Sequence, residues 1–255
     1  MSDLFDLTGK TALVTGSSRG LGRSLALGLA EAGARIVVHG RDGDAASVTA
    51  DLIEAQYGDR PGVTIFDVTD PAAVAEAISE VVEAHGVPDI LVNNAGVQRR
   101  APIAEFSIED WDAVIASNLS SAFYVSRYVV PGMIERGSGK VVNIASVQSA
   151  LARQTIAPYS ASKAGIAQLS RGMAADLARY NIQVNTLSPG YFATEMNTAL
   201  VADEAFTAWV TQRTPAQRWG RVEELRGALV FLASAASDFV SGQNLFVDGG
   251  MTAVV

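Results

Sequence analysis

Ser146, Tyr159 and Lys163 are the residues whose types and spacing most directly suggest chemistry. Ser146 follows an apolar, β-like run from Lys140 to Ala145, Tyr159 comes thirteen residues later, and Lys163 four residues after that. On a helix, a spacing of four puts a phenol and an ammonium on one face, a single turn apart. A free phenol titrates near ~10, so acid–base work around neutrality requires a shift of roughly three units, or about 4 kcal/mol. A neighbouring cation shifts it in that direction by favouring the phenolate. The same pair also occurs on ordinary exposed helices, so its meaning depends on the elements around it.

Those elements come from a chain of 255 residues, 49% hydrophobic and 18% charged, which can bury a large core. No Pro/Ser-rich linker, charge block or repeat divides it, so residues 1–255 are expected to form one domain. With no cysteine, disulfides and thiolate metal sites are excluded, and no metal site is expected. The N-terminal segment lacks the basic and apolar regions of a signal peptide, and no apolar run approaches the ~18 residues of a membrane span, so a soluble cytoplasmic protein is expected. A net charge of −8 argues against nucleic acid as a partner. Any anion site must then be built from local cations or helix N-termini.

Apolar runs at 11–15, 34–38, 63–66, 90–92, 141–144, 182–187 and 245–248 alternate with helical patterns, among them 23–32, 45–57, 198–209 and 223–235. This alternation predicts βαβ units, hence an α/β doubly wound fold with a parallel sheet covered on both faces. Right-handed crossovers bring the C-terminal ends of the strands to one edge, where such sheets bind ligands. Thr15 to Gly22 lies between the first strand and first helix. Gly16 permits a tight turn, Gly20 lets a backbone approach a diphosphate, and Gly22 allows the helix to pack closely, with Ser18, Arg19 and Leu21 between them. The second strand ends Val38-His39-Gly40-Arg41, without the acid that would hold an NAD ribose. Arg41 and Arg19 could instead grip a 2′-phosphate, which favours NADP. Asp67-Val68 ends the third run, where Asp67 could accept from an adenine amino group. Asn94-Ala95-Gly96 ends the fourth, leaving room for a ribose.

T-G-S-S-R-G-L-G, N-N-A-G, Ser146, Y-S-A-S-K and Pro189-Gly190 with Thr194 fall in the order and spacing of the short-chain dehydrogenase/reductase family, which the chain resembles from about Leu7 onward. The resemblance implies a single Rossmann-like domain with a seven-stranded parallel sheet, usually a homotetramer. It implies that Tyr159 is the acid/base, that Lys163 lowers its pKa and holds the nicotinamide ribose, and that Ser146 hydrogen-bonds the reacting oxygen. Asn118 would hold a water that links the lysine to solvent. Pro189, Gly190 and Thr194 would carry the nicotinamide amide, followed by a mobile substrate lid at about 190–215.

Arg99 and Arg100, just beyond the fourth strand, and Arg153, between Ser146 and Tyr159, suggest an anionic substrate, since a guanidinium binds a carboxylate bidentately. Salt-bridging is the competing explanation for each. The segments N-N-A-G-V-Q-R-R-A-P, S-V-Q-S, S-P-G-Y-F-A-T-E-M and R-T-P-A-Q-R-W-G resemble the gluconate 5-dehydrogenase group within the family, which adds Gln148 and Tyr191 to the expected substrate contacts. Ala150 departs from that pattern, which carries Glu there. Competing expectations are a dehydrogenase of 3-deoxy-2-keto sugar acids, a 3-oxoacyl or generic ketone reductase, and a non-catalytic NADP-binding regulator. The intact set of Asn118, Ser146, Tyr159 and Lys163 argues against the last. Phe206, Trp209 and Trp219 read as packing residues.

Overall fold

Seven of the apolar runs become strands of one parallel sheet in the computed structural model, which describes residues 3–194 and 197–254. They are β1 (Thr11–Val14), β2 (Arg35–Gly40), β3 (Gly62–Ile65), β4 (Ile90–Asn93), β5 (Gly139–Ile144), β6 (Ile182–Pro189) and β9 (Asn244–Val247), in the order β3-β2-β1-β4-β5-β6-β9. Alternate residues of β1, β2, β4, β5 and β6 enter different cores, as a two-residue period requires. Ala12, Val14, Ile36 and Val38 join Leu25, Leu29, Leu229 and Leu232 in one. Leu13, Val37 and Leu91 join Ile78, Val129 and Met133 in the other. Burial on both faces explains why β1 reads as an unbroken apolar or small-residue run and β4 as one up to Asn93, while β5 and β6, buried throughout, also carry Lys140, Asn143, Gln183 and Asn185.

The crossover helices are α1 (Gly20–Glu31), α2 (Gly43–Tyr57), α3 (Pro71–His85), α4 (Ile108–Ile115), α5 (Ser121–Arg136), α6 (Ala157–Leu177) and, after the lid, α9 (Arg226–Ala233). Their ends are set by local chemistry. Asp42 caps α2 by accepting from Ala45 N–H, Asp70 caps α3 ahead of Pro71, and Ser107 caps α4 by accepting from Asp110 N–H. Gly58 and Gly137 close α2 and α5 in the left-handed conformation.

Three expectations about elements need correction, and one pair of strands is unexpected. The run ending at Asp67 stops as a strand at Ile65, so Asp67 and Val68 lie in the exit loop. The lid helix expected at 198–209 is two helices, α7 (Thr198–Ala202) and α8 (Glu204–Arg213). Asp203 separates them because its extended backbone and carboxylate cap α8 at Phe206 N–H, 3.0 Å away. The late helix at 223–235 is shorter, residues 226–233, with 3₁₀ turns on both sides. Two short strands, β7 (Phe192–Ala193) and β8 (Gly220–Arg221), pair in parallel to bracket the lid, a pairing too short to leave any periodicity. Residues 195 and 196 of the expected lid lie outside the described residues. Among the described residues no helix is long and apolar enough to cross a membrane.

Candidate active site

The strand order reverses between β1 and β4, and that switch point opens a cleft of about 1060 Å³. Its floor is the glycine turn between β1 and α1. Gly16 and Gly20 sit at φ +65° and +56°, where a Cβ is strained. A Cβ on Gly22 would lie 2.1 Å from Gly16 O, so only glycine lets α1 start there. Asn94 locks the turn from β4, its Nδ2 donating to Thr15 O at 3.0 Å and Gly16 O at 3.1 Å. Ala95 closes over the turn: a Cβ on Gly16 would lie 3.0 Å from its Cα. No side chain caps α1, since its N-cap is Arg19 and makes no capping hydrogen bond. The first-turn N–H groups and the helix dipole therefore face the cleft as an anion site.

The far end of this site is cationic. Arg19 is exposed and its guanidinium has no ion-pair partner among the described residues. Arg41 lies 3.6 Å from Asp67 Oδ2. The other Asp67 oxygen accepts from Thr69 N–H at 2.9 Å and Thr69 Oγ1 at 2.7 Å, and these bonds lead in holding its carboxyl below the usual range. Oδ1 is thus tied to the exit loop, while Oδ2 has only the Arg41 contact among the described residues. Gly40 is where an acid would have to sit, and a Cβ there would lie 3.0 Å from Ser18 Cβ. The donors and cations present fit a phosphorylated dinucleotide: an uncapped helix N-terminus under glycines, with guanidiniums at one end.

At the opposite end α6 carries Tyr159 and Lys163 on one face, with the ammonium 5.6 Å from the centre of the phenol ring. Lys163 reaches across to the end of β5, donating to Ile144 O at 2.8 Å. Burial pushes its ammonium down to about 8. Ser146, extended at the start of a 3₁₀ turn, accepts from Gln148 N–H at 3.2 Å, and its hydroxyl is near enough to the Tyr159 phenol to act on its ionisation. The phenol itself is pushed up, chiefly by burial, against the lowering effects of Ser146 and Arg100. The resemblance implies a phenol lowered by Lys163; among the groups that shift the phenol here, burial leads and Lys163 does not figure. Asn118 lies in a π-type turn, Ala116–Ser120, between α4 and α5. Its Oδ1 accepts from Val97 N–H at 2.7 Å, and its Nδ2 donates to Val97 O and Ser162 Oγ. Ser162 in turn donates to Tyr159 O at 2.8 Å, so Asn118 braces the catalytic helix.

All three expected substrate cations line the cleft, and Arg100 and Arg153 lie close enough to feel each other. Arg100 feels Arg153, Tyr191 and Tyr159, with burial and the Arg153 charge together lowering its pKa. Arg99 is held by Asp110 at 3.2 Å, the salt bridge that competes with a substrate role. Gln148 Oε1 and Arg153 Nε are buried without a hydrogen-bond partner, an unmatched acceptor and donor facing one cleft. Pro189, Gly190 and Thr194 line the same wall, with Gly190 packed so close to Asp248 that a Cβ would lie 2.8 Å from its Cα. Tyr191 stands edge-on to Phe206, Trp209 and Trp219, at 5.8, 5.6 and 5.7 Å between ring centres. Arg153 lies over Phe206 at 5.2 Å. The lid aromatics therefore do pack, and what they pack around is the side of the cleft carrying Arg153.

Sequence reasoning missed two residues here. His39 registered only as the absence of an acid, yet it is buried and wired to the glycine turn. Thr155 adopts φ +69° and accepts from Ala101 N–H at 3.1 Å, tying the Arg153 loop to the Arg100 loop. A left-handed threonine carries no local signature, because β-branched residues avoid that region.

A doubly wound sheet, a glycine turn at its switch point and a Ser-Tyr-Lys constellation on β5 and α6 define a nucleotide-dependent dehydrogenase or reductase. The chain belongs to the short-chain dehydrogenase/reductase family: the family profile described as enoyl-(acyl carrier protein) reductase matches residues 16–252. A gluconate 5-dehydrogenase of Gluconobacter oxydans (strain 621H) is 53% identical over 250 residues, 98% of this chain and 97% of that one. A 5-keto-D-gluconate 5-reductase of Escherichia coli (strain K12) is 50% identical over 255 residues, 100% of both. Among solved structures, a gluconate 5-dehydrogenase from Burkholderia cenocepacia J2315, in complex with NADP and tartrate, aligns with a TM-score of 0.96. It is 55% identical, and the match covers 99% of each chain.

Proposed function

We propose that this protein is an NADP(H)-dependent oxidoreductase that interconverts D-gluconate and 5-dehydro-D-gluconate. The observation that carries the reading is the convergence of Arg100, Arg153 and the unpartnered Gln148 Oε1 on the cleft that holds Ser146 and Tyr159. A sugar acid offers a carboxylate to the guanidiniums and hydroxyls to the amide, whereas a simple ketone would leave the buried Gln148 Oε1 and Arg153 Nε unpaired. Identities of 50% and 53% to enzymes named for this conversion support the same substrate. The uncapped α1 N-terminus with Arg19 and Arg41 supports NADP, as does the NADP complex of the Burkholderia enzyme.

The bound nicotinamide supplies the hydride acceptor for oxidation and the donor for reduction. In oxidation Tyr159, as phenolate, takes the proton of the substrate hydroxyl while Ser146 hydrogen-bonds the same oxygen. In reduction the neutral phenol returns that proton. Lys163 would hold the nicotinamide ribose, and its ammonium, 5.6 Å from the centre of the Tyr159 ring, would favour the phenolate. Any water relay at Asn118 falls to its main-chain carbonyl, because both amide hydrogens are used by Val97 and Ser162. Residues 1–255 act as one domain with a lid at about 190–215, in a cytoplasmic homotetramer.

NADPH absorbance with 5-dehydro-D-gluconate, run beside NADH, an aliphatic ketone and a 3-deoxy-2-keto sugar acid, tests the reading. Rapid oxidation of NADPH with the 5-dehydro acid is expected, and faster turnover of either other carbonyl would displace the gluconate assignment. Tyr159→Phe should lose ~100-fold or more in turnover while still binding NADPH. Oxidation of gluconate should rise with pH and reduction fall, because the phenolate and the phenol are their respective active forms.

A further inference from the structure

His39 is the next-to-last residue of β2, with its side chain buried, and the proposed chemistry makes no use of it. Four hydrogen bonds tie it to its surroundings. Its backbone N–H donates to Ser17 Oγ at 3.0 Å, and its carbonyl accepts from Ser17 N–H at 2.9 Å. Its Nδ1 accepts from Gly16 N–H at 2.9 Å, and Nε2 lies 3.1 Å from Phe66 O. A backbone N–H can only donate, so Nδ1 must be the bare acceptor. The ring proton then sits on Nε2 and is donated to Phe66. One neutral tautomer satisfies both bonds, and the imidazole rests against the Phe66 ring at 4.1 Å between centres.

These contacts join two parts of the cleft that no other side-chain hydrogen bond connects directly among the described residues. Gly16 opens the turn whose carbonyl sits under Gly22, and Phe66 precedes Asp67 and Val68 in the β3 exit loop. Asn94 holds the carbonyl side of Gly16, and His39 holds its N–H side. We infer that His39 is a positioning residue for the nucleotide: its Nδ1 sets the Gly16 turn that receives the diphosphate, and its Nε2 ties that turn to the loop bordering the adenosine end. The inference rests on the nucleotide reading of the cleft. It assigns His39 no contact with the reacting atoms.

Two variants separate the two nitrogens. In His39→Asn, Oδ1 can replace Nδ1 as acceptor for Gly16; in His39→Gln, the longer amide can reach Phe66 O but offers nothing to Gly16. NADPH dissociation constants from fluorescence titration should stay within about threefold of native for His39→Asn and rise about tenfold or more for His39→Gln. kcat at saturating NADPH should change less than about twofold in either. In the nucleotide-free protein, amide exchange at Gly16 should stay slow in His39→Asn and speed up in His39→Gln. Equal affinities and equal Gly16 exchange in the two variants would overturn the inference. If His39→Gln fails to fold, a tenfold weaker His39→Asn does the same. Native protein that binds no NADPH would instead sink the nucleotide reading, and the positioning role with it.

Discussion

Lys163 and Tyr159 are both pushed by burial toward their uncharged forms, the ammonium down to about 8 and the phenol upward. The lysine shift makes a stability statement. Below pH 8 both folded and unfolded chains hold its proton. Between there and the ordinary value of 10.5 the unfolded chain binds the proton and the folded chain does not, so stability rises with pH. Lys163→Met removes that dependence. The native protein should therefore gain about 2 kcal/mol relative to this variant between pH ~7.5 and ~9.5, read from urea unfolding. A difference that stays constant across that range would show that Lys163 keeps its proton in the folded state. At the same scale, the clamp at Asn118 and the Arg99–Asp110 pair show how neighbours decide which capable side chains remain available.

At the scale of elements, the glycine turn, α1 and the end of β4 form one close-packed unit. Gly22→Ala would drive a methyl into Gly16 O at 2.1 Å and Asn94 Nδ2 at 2.5 Å. Backbone is the first obstacle, so the turn must shift; NADPH affinity should fall about tenfold or more, with several kcal/mol of stability lost. Gly172→Ala is the matched control, an exposed glycine inside α6 with nothing within 4 Å of an added Cβ. It should stabilise by about 0.5–1 kcal/mol through helix propensity alone. Equal effects at the two positions, read by thermal unfolding, would refute the close-packing argument.

Across the whole molecule, large apolar side chains remain outside the two cores on successive helices: Ile108 and Trp111 on α4, Phe123 and Tyr128 on α5. Phe123 is 51% exposed and Ile108 71%. Such surface on adjoining elements is what an oligomer covers, and it supports the proposed homotetramer. Phe123→Glu should lower the mass measured by light scattering to that of dimers or monomers. An unchanged tetramer would move the interface elsewhere.

The sequence by itself determined the alternation of strands and helices, the glycine turn and the Tyr159–Lys163 face. Each is encoded by residues close together in the chain, through a two-residue strand period, a four-residue helix spacing or a backbone that only glycine can adopt. Tertiary structure decided what depends on distant partners. Arg99 and Arg100 are adjacent and chemically alike, yet only the fold turns one to Asp110 and sets the other beside Arg153 and Tyr191. His39 looks like a strand residue until a turn 23 residues earlier offers it a backbone N–H. The lid strands at 192–193 and 220–221 are too short for any period, and Asp203 breaks an amphipathic run by capping. Local patterning determines which elements form, but the direction and ionisation of a side chain follow from whatever else is packed against it.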